Sequence, residues 1–129
     1  MINLLIIDDD QDLLTLLSAY FLDKGIRVLT ASSFTEGIRQ SQRKRIDVVI
    51  TDYQLGDGDG TDLLSQFRKT HPEAKLIMIS AHRSPHLSDI AVERGASAFL
   101  PKPLNLELLG NWVSTLSAKE AKEAKEAKE

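Results

Sequence analysis

Five short apolar segments, each followed by a segment with helical signals, constrain the fold of this chain more than any other feature. The apolar segments span residues 4–7, 28–31, 48–51, 76–80 and 98–100. Most of them are continuous rather than alternating, which is typical of strands buried on both faces of a parallel sheet. The intervening segments are long enough for the crossover helices that parallel strands require. The pattern therefore predicts an α/β protein with five βα units.

The order of the strands follows from the crossovers. Right-handed crossovers leave few topologies, and the flavodoxin-like doubly wound sheet with strand order 2-1-3-4-5 is the natural one. In such sheets, ligands bind beyond the carboxyl ends of the strands, where the winding reverses between the first and third strands. Residues typical of helix starts and ends separate the units: Ser33 with Glu36, Ser84 and Asn105 at starts, and Gly25 and Gly95 at ends.

Length and composition set the limits of the domain. The chain has 129 residues, a net charge of −3 and no cysteine, so disulfides and thiolate metal sites are excluded. The charge gives no indication of nucleic-acid or membrane binding. The first apolar run is too short for a signal peptide or a membrane span, and we expect a cytoplasmic protein. Residues 118–129 repeat AKE without a large apolar residue, so we interpret them as a helical extension, linker or engineered tail after a domain of residues 1–117.

Carboxylates gather at the predicted switch point of the sheet. Asp8, Asp9 and Asp10 follow the first strand, and Asp52 follows the third. Neighbouring carboxylates repel one another unless a positive charge lies among them, so the cluster indicates a bound cation. Asp10 begins the first helix, where a negative charge interacts favourably with the helix dipole, and we assign it a structural role.

Two further polar residues lie at strand ends near this cluster. Ser80 ends the fourth strand, and Lys102 follows the fifth between two prolines. Carboxylate oxygens suit Mg²⁺, or Mn²⁺ in its place, and a lysine ammonium can offset the remaining charge and hold a phosphoryl oxygen. A metal, a cation, a hydroxyl group and a carboxylate nucleophile are together the parts of a phosphoryl-transfer site.

Four motifs carry a resemblance to a known family. LLIIDDD, VVITDYQLGDGDG, IMISAH and FLPKP, in this order, resemble the motifs of the two-component response-regulator receiver domain, over residues 1 to about 116. The resemblance implies a signalling switch that accepts a phosphoryl group from a sensor histidine kinase, a histidine phosphotransfer protein or a small phosphodonor. It implies no enzymatic activity beyond the domain's own phosphorylation and dephosphorylation.

The resemblance also implies a role for each site residue. Asp52 would be the phospho-acceptor and a metal ligand, Asp9 a direct Mg²⁺ ligand, and Asp8 a ligand directly or through water. The backbone carbonyl of Gln54 would complete the protein's share of the metal shell. Lys102 would pair with Asp52 before the reaction and with the phosphoryl group after it.

The same resemblance implies a conformational switch. Ser80 would move to bond the phosphoryl group and Phe99 would swing inward behind it, which would remodel the surface made by the fourth helix, fifth strand and fifth helix. The side chains of Gln54 and His82 would tune the lifetime of the phospho-aspartate. The Lys102–Pro103 peptide would be cis, as X–Pro bonds allow at low cost.

Several alternatives remain open from the sequence. A haloacid-dehalogenase-like Mg²⁺-dependent phosphatase also uses two aspartates two residues apart, as Asp8 and Asp10 are, although the chain is short for a phosphatase with a cap domain. Ser80 could bond only the local backbone. Trp112 could fill the core, or it could belong to an output face used for docking or for a phosphorylation-dependent homodimer through the fourth and fifth helices.

Overall fold

The structure is a computed structural model that describes residues 2–82 and 85–128, with side chains described up to residue 117. Its strands are β1 (Asn3–Ile7), β2 (Arg27–Ala31), β3 (Val48–Asp52), β4 (Gln54–Leu55), β5 (Gly58–Asp59), β6 (Lys75–Ser80) and β7 (Ala98–Pro101). Its helices are α1 (Gln11–Asp23), α2 (Phe34–Ser41), α3 (Gly60–Thr70), α4 (Pro85–Glu93) and α5 (Leu106–Lys128). Each predicted strand is present, and none begins or ends more than one residue from its predicted bounds.

The central sheet is parallel throughout and has the order β2-β1-β3-β6-β7. Because β6 and β7 are the fourth and fifth strands of this sheet, the predicted order 2-1-3-4-5 is confirmed. The antiparallel ribbon of β4 and β5 was not predicted, since its strands have two residues each and lie in a glycine-rich segment after β3.

Both faces of the sheet are covered, which explains why its strands are apolar without alternation. Leu4 and Ile6 of β1 face one cluster, and Leu5 and Ile7 face the other. Helices α1 and α5 supply the first cluster with Leu14, Leu17, Phe21, Leu109, Val113 and Leu116. Helices α3 and α4 supply the second with Leu63, Leu64, Phe67, Leu87 and Ala91. Trp112 is half-buried against the first cluster, so it contributes to the core while part of its ring stays exposed.

Most of the predicted helix boundaries are observed. Asn105 Oδ1 accepts the Leu108 N–H at 3.0 Å, and α4 is followed by Gly95 with φ +109°. Ser33 Oγ accepts the Glu36 N–H at 3.1 Å. The second half of the expected capping box differs, because Glu36 accepts from the backbone and hydroxyl of Ser32 rather than from Ser33. The predicted N-cap at Ser84 lies outside the described residues.

The terminal helix continues through the AKE repeat to Lys128. The domain boundary at residue 117 stays a prediction, since a single helix runs across it. No helix in the described part of the chain is long and apolar enough to cross a membrane.

Candidate functional site

The register of the sheet brings the acidic residues together. Ile7 of β1 pairs with Thr51 of β3, so the residues that follow them, Asp8 and Asp52, lie side by side at the carboxyl edge. The Asp8 N–H donates to Ala31 O at 3.0 Å, which extends the ladder between β1 and β2 by one residue. The backbone therefore holds Asp8 and Asp52 at the switch point where the sequence placed them.

Three carboxylates converge at this point. Asp8, Asp9 and Asp52 each present an oxygen, and these three oxygens lie within 4.8 Å of one another. Asp8 and Asp52 are buried, whereas Asp9 is exposed and leaves one side of the cluster open to solvent. Oxygen ligands with an open side suit Mg²⁺, which keeps several waters when it binds protein. These residues therefore fit the predicted cation.

Lys102, which follows β7 at the same carboxyl edge, lies against these carboxylates. Its Nζ donates to Asp8 Oδ2 at 2.8 Å and to Asp52 Oδ2 at 3.2 Å. The Lys102 backbone is held in place, because its N–H donates to Ser80 O at 2.8 Å. The Lys102–Pro103 peptide is cis, as the resemblance implied. The contact with Asp52 was expected, and the shorter contact with Asp8 agrees with the expectation that this lysine offsets the charge of the carboxylates.

The remaining oxygen of Asp8 is also bonded. Asp8 Oδ1 accepts the backbone N–H of Asp10 at 2.9 Å. Asp10 itself caps α1, since its Oδ1 accepts the N–H groups of Asp12 and Leu13 at 3.0 and 3.2 Å. The structural role assigned to Asp10 is therefore confirmed.

Burial and charge shift the pKa values of two groups in the site. Burial, together with the negative charge of Asp8, raises the pKa of Asp52, although Lys102 and the Gln54 N–H act against this shift. Burial lowers the pKa of Lys102, but its bonds to Asp8 and Asp52 outweigh burial, and the net pKa is raised. The site therefore holds one ammonium among three carboxylates, and a bound cation would reverse the shift at Asp52.

Ser80 and Phe99 lie next to this cluster on β6 and β7. Ser80 is buried, and its Oγ accepts the backbone N–H of His82 at 2.9 Å, which is the local bond left open by the sequence. Phe99 is half-buried and pairs in register with Met78, two residues before Ser80. These positions are compatible with the predicted switch, whose movement stays a prediction.

Gln54 and His82 border the opening of the site. The Gln54 backbone N–H lowers the pKa of Asp52, and the Gln54 side chain is exposed. The His82 ring is exposed and contacts Tyr53 edge-on, with 5.5 Å between the ring centroids. A cleft of about 420 Å³ lies beside them and is lined by Asp9, Tyr53, Gln54, Leu55, Gly56, Gly58 and Asp59.

A glycine allows the chain to turn back beneath Asp52. A Cβ at Gly60 would lie 2.2 Å from the Asp52 carbonyl oxygen and 3.0 Å from the Tyr53 Cα. The Gly60 N–H donates to Tyr53 O at 2.6 Å, and Asp59 caps α3 by accepting the Thr61 N–H at 2.7 Å. The turn capped by Asp59 therefore packs directly on the backbone of the site.

One residue near the site, Asp57, was not identified from the sequence. Asp57 accepts the backbone N–H groups of Phe34 and Thr35 at the start of α2, at 2.7 and 3.0 Å. These partners lie 23 and 22 residues away along the chain, so no local pattern could have indicated the contact.

A doubly wound sheet with three carboxylates and a lysine at its switch point has the parts of a phosphoryl-acceptor domain. The family model of the response regulator receiver domain matches residues 4–114. The chain belongs to this family.

Known proteins similar to this chain agree with the match. The transcriptional regulatory protein GlrR of Escherichia coli is 36% identical over 107 residues, which are 83% of this chain and 24% of GlrR. The chain thus spans about a quarter of this relative's length. A CheY-like receiver domain protein from Methanospirillum hungatei has a TM-score of 0.91 at 28% identity, covering 95% of this chain and 98% of that protein. The beryllofluoride-activated NtrC4 receiver domain dimer has a TM-score of 0.88 at 25% identity, covering 93% and 99%.

The chain is therefore a receiver domain of the two-component type, a signalling domain that acts as a phospho-acceptor switch. The phosphatase alternative finds no support. Asp10, the second aspartate that a phosphatase would need, is engaged in capping α1, and Asp8 is buried beneath Lys102.

Proposed function

We propose that Asp52 is the residue that accepts the phosphoryl group. The observation that carries this proposal is the bridge of Lys102 to Asp8 and Asp52 within a carboxylate cluster at the switch point. An Asp52 carboxylate oxygen would attack phosphorus, the bond from phosphorus to the donor nitrogen or oxygen would break, and the donor would keep that electron pair. The product would be an acyl phosphate, which the domain would hydrolyse in its only other reaction.

Asp8, Asp9, Asp52 and the Gln54 carbonyl would hold Mg²⁺, with Mn²⁺ as a substitute. Bound Mg²⁺ would supply positive charge that offsets the negative charge of the phosphoryl oxygens. Lys102 already lies within bonding distance of Asp52, so its ammonium can turn to a phosphoryl oxygen without leaving the site.

Ser80 would convert the covalent change into a conformational one. Its Oγ now accepts the His82 N–H, so its own O–H is still able to donate to a phosphoryl oxygen. Only an arrangement with Ser80 moved toward Asp52 gains that bond, and phosphorylation therefore favours it. Phe99 would follow inward, and the surface formed by α4, β7 and α5 would change. The side chains of Gln54 and His82, which border the site, would set the lifetime of the phosphorylated state.

The partners follow from this chemistry. The phosphodonor would be a sensor histidine kinase, a histidine phosphotransfer protein or a small phosphodonor. Similarity to an activated receiver dimer supports a phosphorylation-dependent homodimer through α4 and α5. The matched residues make up 24% of a transcriptional regulatory protein, so the output would be carried by other parts of such a regulator. The cytoplasmic location stays a prediction.

The test is mass spectrometry of the intact protein after incubation with acetyl phosphate, with and without Mg²⁺. We expect a Mg²⁺-dependent gain of one phosphoryl group in the wild type and none in Asp52→Asn. The matched control, Asp47→Asn, changes an aspartate beyond the site and should be phosphorylated normally. Continuous phosphate release that persists in Asp52→Asn and is lost in Asp8→Asn would refute the assignment and indicate a phosphatase.

A further inference from the structure

Asp57 joins the segment after β3 to a helix that is distant in sequence. It lies in the two-residue connection between β4 and β5, at the tip of the ribbon formed by residues 54–59. From there its two carboxylate oxygens reach the first turn of α2, where Oδ1 accepts the Phe34 N–H at 2.7 Å and Oδ2 accepts the Thr35 N–H at 3.0 Å. A single side chain thus connects the ribbon to α2 through two bonds.

These bonds complete the N-terminus of α2. The first four N–H groups of a helix have no acceptor within the preceding turn. Ser33 Oγ accepts from Glu36, one of these groups, and the Ser33 carbonyl accepts the first regular helical bond, from Gly37. Asp57 accepts from two more of these groups, those of Phe34 and Thr35. Their N–H groups, with Thr35 the larger contributor, also lower the pKa of Asp57, so the carboxylate is charged at neutral pH.

Close packing accompanies the polar contact. A Cβ at Gly58 would lie 2.6 Å from Cδ2 of the Phe34 ring and 2.8 Å from its Cγ. The ring therefore lies directly on the backbone of the ribbon, one residue after Asp57. The polar and apolar contacts together fix the tip of the ribbon against α2.

The other end of the ribbon forms part of the phosphoryl-acceptor site. Gln54 pairs with Asp59 across the ribbon, lies two residues after Asp52, and lines the same cleft as Asp9. With only two residues per strand, the ribbon has few internal bonds to hold Gln54 once the tip is released. The position of the Gln54 backbone therefore depends on contacts at the tip.

We propose that Asp57 is a positioning residue, whose contact with α2 holds the Gln54 backbone in place to ligate Mg²⁺. This inference rests on the metal site of the proposed function. Residues that orient metal ligands typically contribute about 10- to 100-fold to affinity. We expect Asp57→Ala to raise the Mg²⁺ dissociation constant about tenfold.

Two control variants separate the positioning role of Asp57 from a general loss of helix capping at α2 and from the loss of a negative charge near the site. Ser33→Ala removes the bond to Glu36 at the same end of α2 and leaves the ribbon untouched. Asp12→Asn removes an exposed carboxylate from the first turn of α1, which follows the acidic cluster. Both variants should bind Mg²⁺ as the wild type does. Asp57→Asn retains one acceptor oxygen, and it replaces Asp57→Ala as the test variant if Asp57→Ala does not fold.

The measurement is an NMR titration of the backbone amides with Mg²⁺, together with amide hydrogen exchange in metal-free protein. In Asp57→Ala, the Gly60 amide, which bonds Tyr53 O, should exchange faster than in Ser33→Ala. An Mg²⁺ affinity in Asp57→Ala equal to that of the wild type, or an equal loss in Ser33→Ala, would overturn the inference and leave the proposed function standing. Wild-type protein that binds no Mg²⁺ would overturn the proposed metal site and the inference with it.

Discussion

The ammonium nitrogen of Lys102 lies 2.8 Å from Oδ2 of Asp8, a side chain with no exposed surface. A buried carboxylate without a partner is strongly unfavourable, so this contact offsets the cost of burying the Asp8 side chain. Asp52 shares the same ammonium at 3.2 Å and is slightly exposed. Lys102 therefore has a structural role at Asp8 in addition to its proposed role beside Asp52.

Replacing Lys102 should destabilise the metal-free domain. Lys102→Met leaves Asp8 buried without its partner, and we expect a loss of about 3 kcal/mol in the free energy of unfolding. Lys69→Met, at an exposed lysine in the last turn of α3, should change it by less than about 0.5 kcal/mol. Urea denaturation in the presence of a chelator measures both. Equal stabilities of the two variants would contradict the role of Lys102 at Asp8.

The stability of the metal-free domain should depend on pH through Asp52. Its pKa is raised in the folded state, so the folded state binds more protons than the unfolded state between the ordinary pKa and the raised one. Stability should therefore fall as pH rises through this window. Asp52→Asn cannot titrate and should be more stable than the wild type at neutral pH. Denaturation midpoints of both proteins across acidic to neutral pH, with chelator, test this expectation, and a wild type that gains stability through the window would contradict it.

Added Mg²⁺ should stabilise the wild type and should do so through Asp9. At a Mg²⁺ concentration ten times its dissociation constant, linkage predicts a gain of about 1.4 kcal/mol. Because Asp9 is exposed, Asp9→Asn should match the wild type without metal and gain little when Mg²⁺ is added. Thermal unfolding at several Mg²⁺ concentrations measures the effect. A full gain in Asp9→Asn would remove Asp9 from the ligand set.

Alanine substitutions at Gly56 and Gly60, which lie on either side of Asp57, should differ in their effect on stability. A Cβ at Gly60 would collide with the Asp52 carbonyl oxygen, so Gly60→Ala should destabilise the domain by about 1–3 kcal/mol and weaken phosphorylation. A Cβ at Gly56 would have no atom within 4 Å, so Gly56→Ala is the matched control and should be tolerated. Denaturation and the acetyl phosphate assay compare them. A tolerated Gly60→Ala would show that the turn beneath Asp52 can relax.

The Ser80 hydroxyl should be needed for the response to phosphorylation and not for phosphorylation itself. Ser80→Ala retains the carboxylates and Lys102, so we expect it to accept a phosphoryl group while its α4 and β7 amides stay at their unphosphorylated NMR shifts. Ser80→Thr keeps a hydroxyl and should respond as the wild type does. If phosphorylated Ser80→Ala instead shows the NMR shifts of the phosphorylated wild type, the switch depends on groups other than the Ser80 hydroxyl.

Much of the site could be predicted because strand ends are local features. The acidic residues after β1 and β3, Ser80 at the end of β6 and Lys102 after β7 each follow an apolar run. A parallel sheet brings the carboxyl ends of its strands to one edge. The helix starts at Asp10 and Asn105 could be predicted for the same reason, since a capping side chain bonds N–H groups two or three residues away.

By itself, the sequence determined the strands, their order and the edge at which the charged residues meet, because periodicity and the handedness of crossovers act over short segments. Only the tertiary structure decided which charged group meets which. The Lys102 contact with Asp8 and the Asp57 contact with α2 join residues 94, 23 and 22 positions apart. Such contacts depend on how loops and side chains settle once the sheet has formed, and a buried carboxylate or a helix end takes whichever partner then lies within bonding distance.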